Sequence, residues 1–271
     1  MTNFTHYLVT RFNVRINGNG PEFILSDSRG PNWELERTAL FEIFCAPTVV
    51  GQTNTNFTWL IYCDQNTPEE ITQRILAATR GAIKVEIVPV MSFNELLSHL
   101  RQLVSHCSSP FVITTRLDND DGLGINFIHD IQSNFVPEDL VVLNQLGGVN
   151  YHAGTKVLTE HRHYINNSFL TLIETTQPTG MVTIMGFNHL HPMENMKVIN
   201  LAKKYAFWRT LHQQNTAIRG NRGWPILPTI VKDLYTLDFS QVKVSWTGML
   251  LYALRWFPRA VVRKIIYRIR N

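Results

Sequence analysis

The chain has 271 residues, 44% hydrophobic and 17% charged, with 15 Gly and 12 Pro. Such a chain forms one domain of about 200–250 residues or two small ones, buries roughly three quarters of its unfolded surface, and is neither disordered nor low-complexity. The net charge is +4, but residues 246–271 hold six basic and no acidic side chains, so +4 less those six leaves −2 before residue 246. Nucleic-acid binding by the whole domain therefore loses most of its support, while the tail suits a local anionic partner.

The elements follow in chain order. His6–Thr10 is an apolar run that predicts a first strand, ending at Arg11-Phe12-Asn13. Gly18-Asn19-Gly20-Pro21 marks a loop. Trp33–Phe44 has helical spacing, with Pro47 expected beyond its end. Phe57–Cys63 predicts a strand that runs into Asp64. Thr67 as cap and Pro68 at the first position start a helix. Ile83–Val90 alternates as a strand. Ser92–Cys107 predicts a helix capped by Ser92, with Glu95 three residues later. Phe111–Thr115 predicts the next strand, followed by Arg116-Leu117-Asp118-Asn119-Asp120-Asp121.

Strand and helix thus alternate four times, which argues a parallel sheet flanked by helices. Ligands of such sheets bind at the carboxyl ends of strands, where the order reverses. Arg11, Asn13, Asp64 and the acidic run all fall at such ends and are expected to share one crevice. The second half is less regular. Leu140–Leu143, Lys156–Thr159 and Phe169–Ile173 predict strands, Met196–Tyr205 a helix, and Asn215–Pro228 a loop.

Cys45, Cys63 and Cys107 cannot close a disulfide framework, and Cys45 and Cys63 read as buried thiols of a reducing compartment. No apolar run reaches 18 residues and no basic-then-apolar leader opens the chain. The expectation is a cytoplasmic protein.

Asp118-Asn119-Asp120-Asp121 places three carboxylates in four residues after a strand. Clustered like charges are costly unless something positive sits among them. A hard divalent cation meets that need through carboxylate, phosphate and water oxygens. The plain alternative is a solvated acidic turn. Asp-x-Asp also occurs in hydrolases, where a nucleophilic aspartate follows the first strand; here the run follows the fourth.

A strand ending in Asp-x-Asp, about 115 residues into an alternating half, resembles the glycosyltransferases of GT-A fold. Five segments resemble the bacterial rhamnosyltransferase family in particular: HYLVTRFNVR, WELERTALFEIFCAPTV, FTWLIYCDQNTP, TTRLDNDDGL and NNSFLTLIE. The resemblance covers most of residues 6–215. It implies a GT-A-like mixed, mainly parallel sheet flanked by helices in one domain over residues 1–245. About 1–122 would be its nucleotide-binding half and about 123–245 its acceptor half. It also implies a nucleotide-sugar donor and a Mg²⁺ or Mn²⁺ ion on Asp118 and Asp120, neutralising the diphosphate that leaves.

Within that resemblance Asp120 is the direct metal ligand, and Asp118 touches ribose or metal. Asp121 is a second metal contact or a donor-sugar contact. Arg116 pairs with phosphate or with the acidic run. Asp64 takes a base N–H or forms a turn, and Arg11 and Asn13 contact the nucleotide. Trp208-Arg209-Thr210-Leu211-His212-Gln213-Gln214-Asn215 is similar to the family's W-x-x-x-H-x-x-N stretch, which makes His212 a late metal ligand or diphosphate contact. Gln213-Gln214 departs from the glycine-bearing form of that stretch. Inverting transfer needs a base for the acceptor hydroxyl. Glu174, after FLTLI, is the expected base, with a surface glutamate as the plain alternative. His189, His191 and Glu194 read as structure or acceptor binding rather than as a zinc site.

Gly248–Phe257 is almost wholly apolar, and Pro258 breaks or kinks it. On a helix over 259–270, Val261, Val262, Ile265, Ile266 and Ile269 share one arc and the basic residues the other. This predicts peripheral binding to the anionic inner face of the bacterial cytoplasmic membrane, with a docked terminal helix or dimer contact as the alternative. The expected activity is metal-dependent, inverting glycosyl transfer to a glycan or lipid-linked acceptor in surface polysaccharide synthesis. The alternatives are a non-catalytic membrane-associated scaffold and a nucleotide-sugar phosphohydrolase.

Overall fold

The computed structural model describes residues 3–15, 30, 32–81, 83–162, 165, 167–188, 193–212 and 223–257. The expected glycine loop over 18–21, His189, His191, Gln213 to Asn215 and the basic helix over 259–270 lie outside the described residues.

Six parallel strands and one antiparallel strand form the larger sheet. In chain order they are β1 (Phe4–Arg11), β2 (Thr58–Asp64), β3 (Lys84–Val90), β4 (Phe111–Arg116), β6 (Val141–Gln145), β9 (Thr171–Thr175) and β10 (Lys197–Leu201). Their spatial order is β10-β6-β9-β4-β1-β2-β3, and β9 runs against both neighbours. The order reverses between β1 and β4, so the carboxyl ends of these two strands open the crevice where such sheets bind ligands. A mixed, mainly parallel sheet flanked by helices is the arrangement expected from the sequence.

The strands alternate, so each face of the sheet builds its own core. Trp59, Ile61 and Cys63 face one side with Leu8, Ile113 and Ile173. Against them pack α3 (Glu69–Ala78), through Ile71 and Ile75, and α5 (Phe127–Ser133), through Phe127, Ile128 and Ile131. Leu60, Tyr62, Val112 and Leu172 face the other side under α4 (Phe93–Ser105), through Leu96, Leu100 and Val104. Ser92 caps α4 by accepting from the Glu95 N–H, as the spacing predicts.

The second, five-stranded sheet was not anticipated. It consists of β5 (Gly122–Leu123), β7 (Gly148–His152), β8 (Val157–His161), β11 (Phe207–Leu211) and β12 (Trp224–Pro225), ordered β12-β8-β7-β11-β5. Val149, Tyr151, Leu158 and Trp208 on one face form a third core with Phe44, Tyr235 and Met249. On the other face Phe207 stacks on Phe169 at 4.3 Å, joining the two sheets.

Four local expectations are corrected. The helix begun at Trp33 does not end before Pro47. It runs as α1 (Trp33–Leu40), a π-helical turn at Phe41–Cys45 and α2 (Ala46–Val50), and Pro47 is tolerated because it falls in the first turn of α2. Thr67 does not cap α3, because its hydroxyl is turned onto the Asp64 carbonyl. Met196–Tyr205 is not a helix, since β-branched Val198 and Ile199 pair with β6 as edge strand β10. The strand expected from Phe169 starts at Thr171. Short helix α6 (Pro228–Val231) follows β12, and residues 246–257 are helical.

Candidate active site

The acidic run sits where β4 leaves the larger sheet and β5 enters the smaller one. Leu117 is wholly buried and its N–H donates to the Val9 carbonyl at 3.0 Å, so the loop starts anchored to β1. Asn119 repeats that tie by donating to the Phe12 carbonyl at 2.7 Å. Gly122 closes the run against the helix over 33–50. A Cβ there would lie 2.7 Å from the Phe44 carbonyl and 2.9 Å from Thr48 Oγ1, so only glycine allows that approach.

Each carboxylate finds a different compensation. Asp118 is partly exposed and receives Arg116, whose Nη2 lies 3.0 Å from its Oδ1. Asp120 is buried, and its Oδ2 meets Arg37 Nη1 at 2.5 Å and His212 Nε2 at 2.7 Å. Asp121 is buried and accepts from the Thr210 N–H at 2.9 Å. Burial first, then Asp120 and Asp118, push its carboxyl well above the usual range, against the pull of Thr210 and Arg209. Beneath the run, burial and the same three aspartates push the Cys45 thiol upward. Cys45 and Cys63 are buried free thiols, as expected.

The structure therefore brings Asp118, Asp120, Asp121, Arg116 and His212 together. Arg11, Asn13 and Asp64 lie at the same edge, on the neighbouring strand ends. Arg11 donates to the Val14 carbonyl at 2.8 Å. Asp64 forms a turn, accepting from the Asn66 N–H at 2.9 Å. Asn13 is buried and its amide works inside the protein. It donates to Glu34 Oε1 and Thr67 Oγ1, each at 2.9 Å, and accepts from the Asp64 N–H at 2.8 Å. Its side chain ties together the loops at this edge.

Glu174 is displaced from the site. It lies on β9 opposite Val112, at the amino end of β4, four residues or about 13 Å along the strand from Arg116. Its carboxylate accepts from the Val182 and Thr183 N–H groups at 2.7 and 2.9 Å. It cannot serve as base to chemistry at the acidic run. The strand was expected; its antiparallel direction, which sends its carboxyl end to the far edge, was not.

Two arginines were missed. Arg37 lies in the last turn of α1, and only its helical spacing from Trp33 marks it, the guanidinium carbon standing 5.3 Å from the Trp33 ring centre. Arg209, on β11, belongs to a polar face of the small sheet. It pairs in register with Asn150, whose Nδ2 stands 3.2 Å from His161 Nδ1, while His152 Nε2 stands 3.2 Å from Thr159 Oγ1. Burial first and Arg209 second lower the basicity of His152 and His161.

These donors bear on whether a divalent cation could bind. Among the described residues no three His, Cys, Asp or Glu side chains gather as a ready cage. Asp120 and His212 nonetheless converge on one point. The carboxylate oxygen suits Mg²⁺ or Mn²⁺ when further oxygen ligands complete the shell, and the imidazole favours Mn²⁺ of the two. The donors fit an ion shared with a phosphate ligand rather than one enclosed by protein.

No curated protein matches the sequence. Among solved structures the chain is similar to Staphylococcus aureus TarS 1–349, at 10% identity and a TM-score of 0.42. It is also similar to TarS 1–349 in complex with UDP, at 9% identity and a TM-score of 0.43. Each match covers 76% of this chain and 60% of the other, so the chain spans under two thirds of those structures. A family model described as "Putative rhamnosyl transferase" matches residues 29–222, which hold the acidic run, Arg37, Arg209 and His212. That match runs over most of the sequence, and the chain belongs to this rhamnosyl transferase family, a family of glycosyltransferases.

Proposed function

We propose that this chain transfers a sugar, rhamnose or a related one, from a nucleotide-sugar donor to a glycan or lipid-linked acceptor in bacterial surface polysaccharide synthesis, using a divalent cation. One observation carries the reading. Asp120 and His212 meet at 2.7 Å on the carboxyl edge of the larger sheet, where its strand order reverses.

Asp120 and His212 would hold Mg²⁺ or Mn²⁺, with Asp118 at its exposed side. When bound, that ion offsets charge on the leaving diphosphate. Arg116 steadies Asp118 and lies within the same edge as a phosphate partner. Arg11 and Asp64 face the nucleotide, and Asn13 holds the loops around it. Asp121 contacts the donor sugar. We propose inversion at the transferred carbon, which requires the acceptor proton to be taken on the side away from the diphosphate. His152 and His161, whose partners Thr159 and Asn150 lie in register with Arg209 on the small sheet, are assigned that role in place of Glu174. We place the nucleotide half at about 1–122, the acceptor half at about 123–245 and the tail at 246–271.

The tail is proposed as a peripheral contact with the anionic inner leaflet. Among the described residues no helix is long and apolar enough to cross a membrane. Helical residues Trp246, Leu250, Leu251, Leu254 and Phe257 are each more than half exposed, and Met249 holds the helix on the small sheet. The sequence beyond them carries five basic residues and no acidic one. That combination suits a headgroup boundary.

The testing experiment incubates the purified chain and Mn²⁺ with UDP-, GDP- and dTDP-sugars and an oligosaccharide acceptor, and measures nucleoside diphosphate release and the anomeric form of the product. Acceptor-dependent release that Asp120→Asn abolishes is the expected result. Release of sugar phosphate and nucleoside monophosphate without acceptor would instead identify a phosphohydrolase, and no release with any donor would identify a scaffold.

A further inference from the structure

Arg37 is the least explained charged group at the site. Its side chain is 11% exposed, and its Nη1 lies 2.5 Å from Asp120 Oδ2 and 3.3 Å from Asn119 Oδ1. Among the described residues its buried Nε finds no hydrogen-bond partner. A guanidinium carries five donors in a fixed fork, and a buried one that leaves a donor unused is incompletely satisfied. The fork is suited to a planar or tetrahedral oxyanion that is not a protein side chain.

The position of Arg37 conflicts with a cation on Asp120. An ion ligated by that carboxylate stands about 2.0–2.6 Å from its oxygen. The guanidinium and His212 already converge on Oδ2. The ion and the guanidinium are both positive and would crowd one carboxylate in a nearly buried pocket, so they repel strongly. Loading the ion therefore requires Arg37 to leave Asp120. The diphosphate that arrives with the ion supplies oxygens able to receive the displaced fork.

We infer that Arg37 is an exchangeable counter-ion: it neutralises Asp120 while the site is empty and binds the donor's diphosphate once the metal has taken its place. The inference rests on the reading of Asp120 and His212 as a metal site for a nucleotide sugar. It has a thermodynamic consequence. Metal alone must compete with Arg37, whereas metal with diphosphate need not. The two ligands therefore strengthen each other's binding, and by linkage they do so equally.

The experiment titrates MnCl₂ into wild type, Arg37→Gln and Arg37→Lys by calorimetry, alone and with UDP, GDP or dTDP. Circular dichroism checks that each variant is folded. In wild type the matching nucleotide raises Mn²⁺ affinity by about tenfold or more, within the usual range of coupling between sites. In Arg37→Gln, Mn²⁺ alone binds about fivefold tighter than in wild type and the nucleotide enhancement collapses. Arg37→Lys keeps the charge without the fork, so its metal-alone affinity stays near wild type and its enhancement is reduced. An enhancement in both variants equal to that of wild type overturns the inference and leaves the metal site standing. No Mn²⁺ binding to wild type with any of the three nucleotides overturns both.

Discussion

Asp120 and His212 stand 92 residues apart in the chain and share a contact of 2.7 Å. The first is delivered by the strand end of the larger sheet and the second by β11 of the smaller one, so the contact fastens the two sheets at the mouth of the crevice. Asp120→Asn should lower nucleoside diphosphate release by about 10²–10³-fold, the loss typical when a group that stabilises transition-state charge is removed. His212→Gln should cost less, because the carboxylate remains. Both should remain folded, and the Mn²⁺-dependent rise in melting temperature should vanish in Asp120→Asn.

Glu174 makes a contrasting prediction. Its two oxygens receive two backbone N–H groups of the segment after β9. Glu174→Gln turns one acceptor into a donor facing a donor, and should destabilise the fold by about 1–3 kcal/mol in denaturant titration. Turnover of the folded variant should stay within a few-fold of wild type. A loss of activity at unchanged stability would place a catalytic role on the far edge and overturn the position argued for it.

His6 governs the acid limb of stability. It is buried, with Nε2 2.9 Å from Thr115 Oγ1 and Nδ1 3.1 Å from Gln132 Nε2. The Gln132 amide donates to Nδ1, so the ring is neutral and donates to Thr115. Burial lowers its pKa from 6.5 to about 3. The unfolded chain therefore binds the extra proton between those values and the folded chain does not. Stability is whole above pH 6.5 and falls as the pH drops toward 3, by up to about 4 kcal/mol. Melting curves from pH 8 to 4 should show that fall. His6→Gln should be less stable than wild type at pH 7.5 and lose much of the slope below pH 6.5.

The exposed apolar helix gives a prediction independent of the chemistry. Leu250→Glu with Leu254→Glu should abolish co-sedimentation with phosphatidylserine-containing vesicles and leave the melting temperature unchanged, since both side chains are more than half exposed. Binding by the native chain should weaken with salt, as attraction to an anionic surface is screened. Native binding that persists in the double variant would mean the basic segment acts without the helix.

Much of the larger sheet was legible, because the runs from His6, Phe57, Ile83 and Phe111 are apolar, β-rich and separated by helical segments. The smaller sheet was not. Two of its strands have only two residues, and the alternation of Gly148–His152 spans just five residues behind a glycine pair that reads as a turn. Asp118, Asp120 and His212 could be named from residue type and resemblance. Glu174 could not be placed, since a polar residue after a strand reaches the site edge only if that strand runs parallel to its neighbours, and direction is a property of the assembled sheet. Arg37 was hidden for a related reason. On an amphipathic helix a basic residue reads as solvated until packing turns it inward.

The Asn13 amide has a consequence for re-engineering donor preference. One side chain joins Glu34 of α1, Thr67 before α3 and the backbone of Asp64, so three segments share a single fastening. A loop grafted from a relative into any one of these segments would arrive without its matching hook. The exchangeable unit is the set of three segments with Asn13 and Thr67 carried along, and chimeras cut between them should misfold at the crevice rim before any change of specificity can be read.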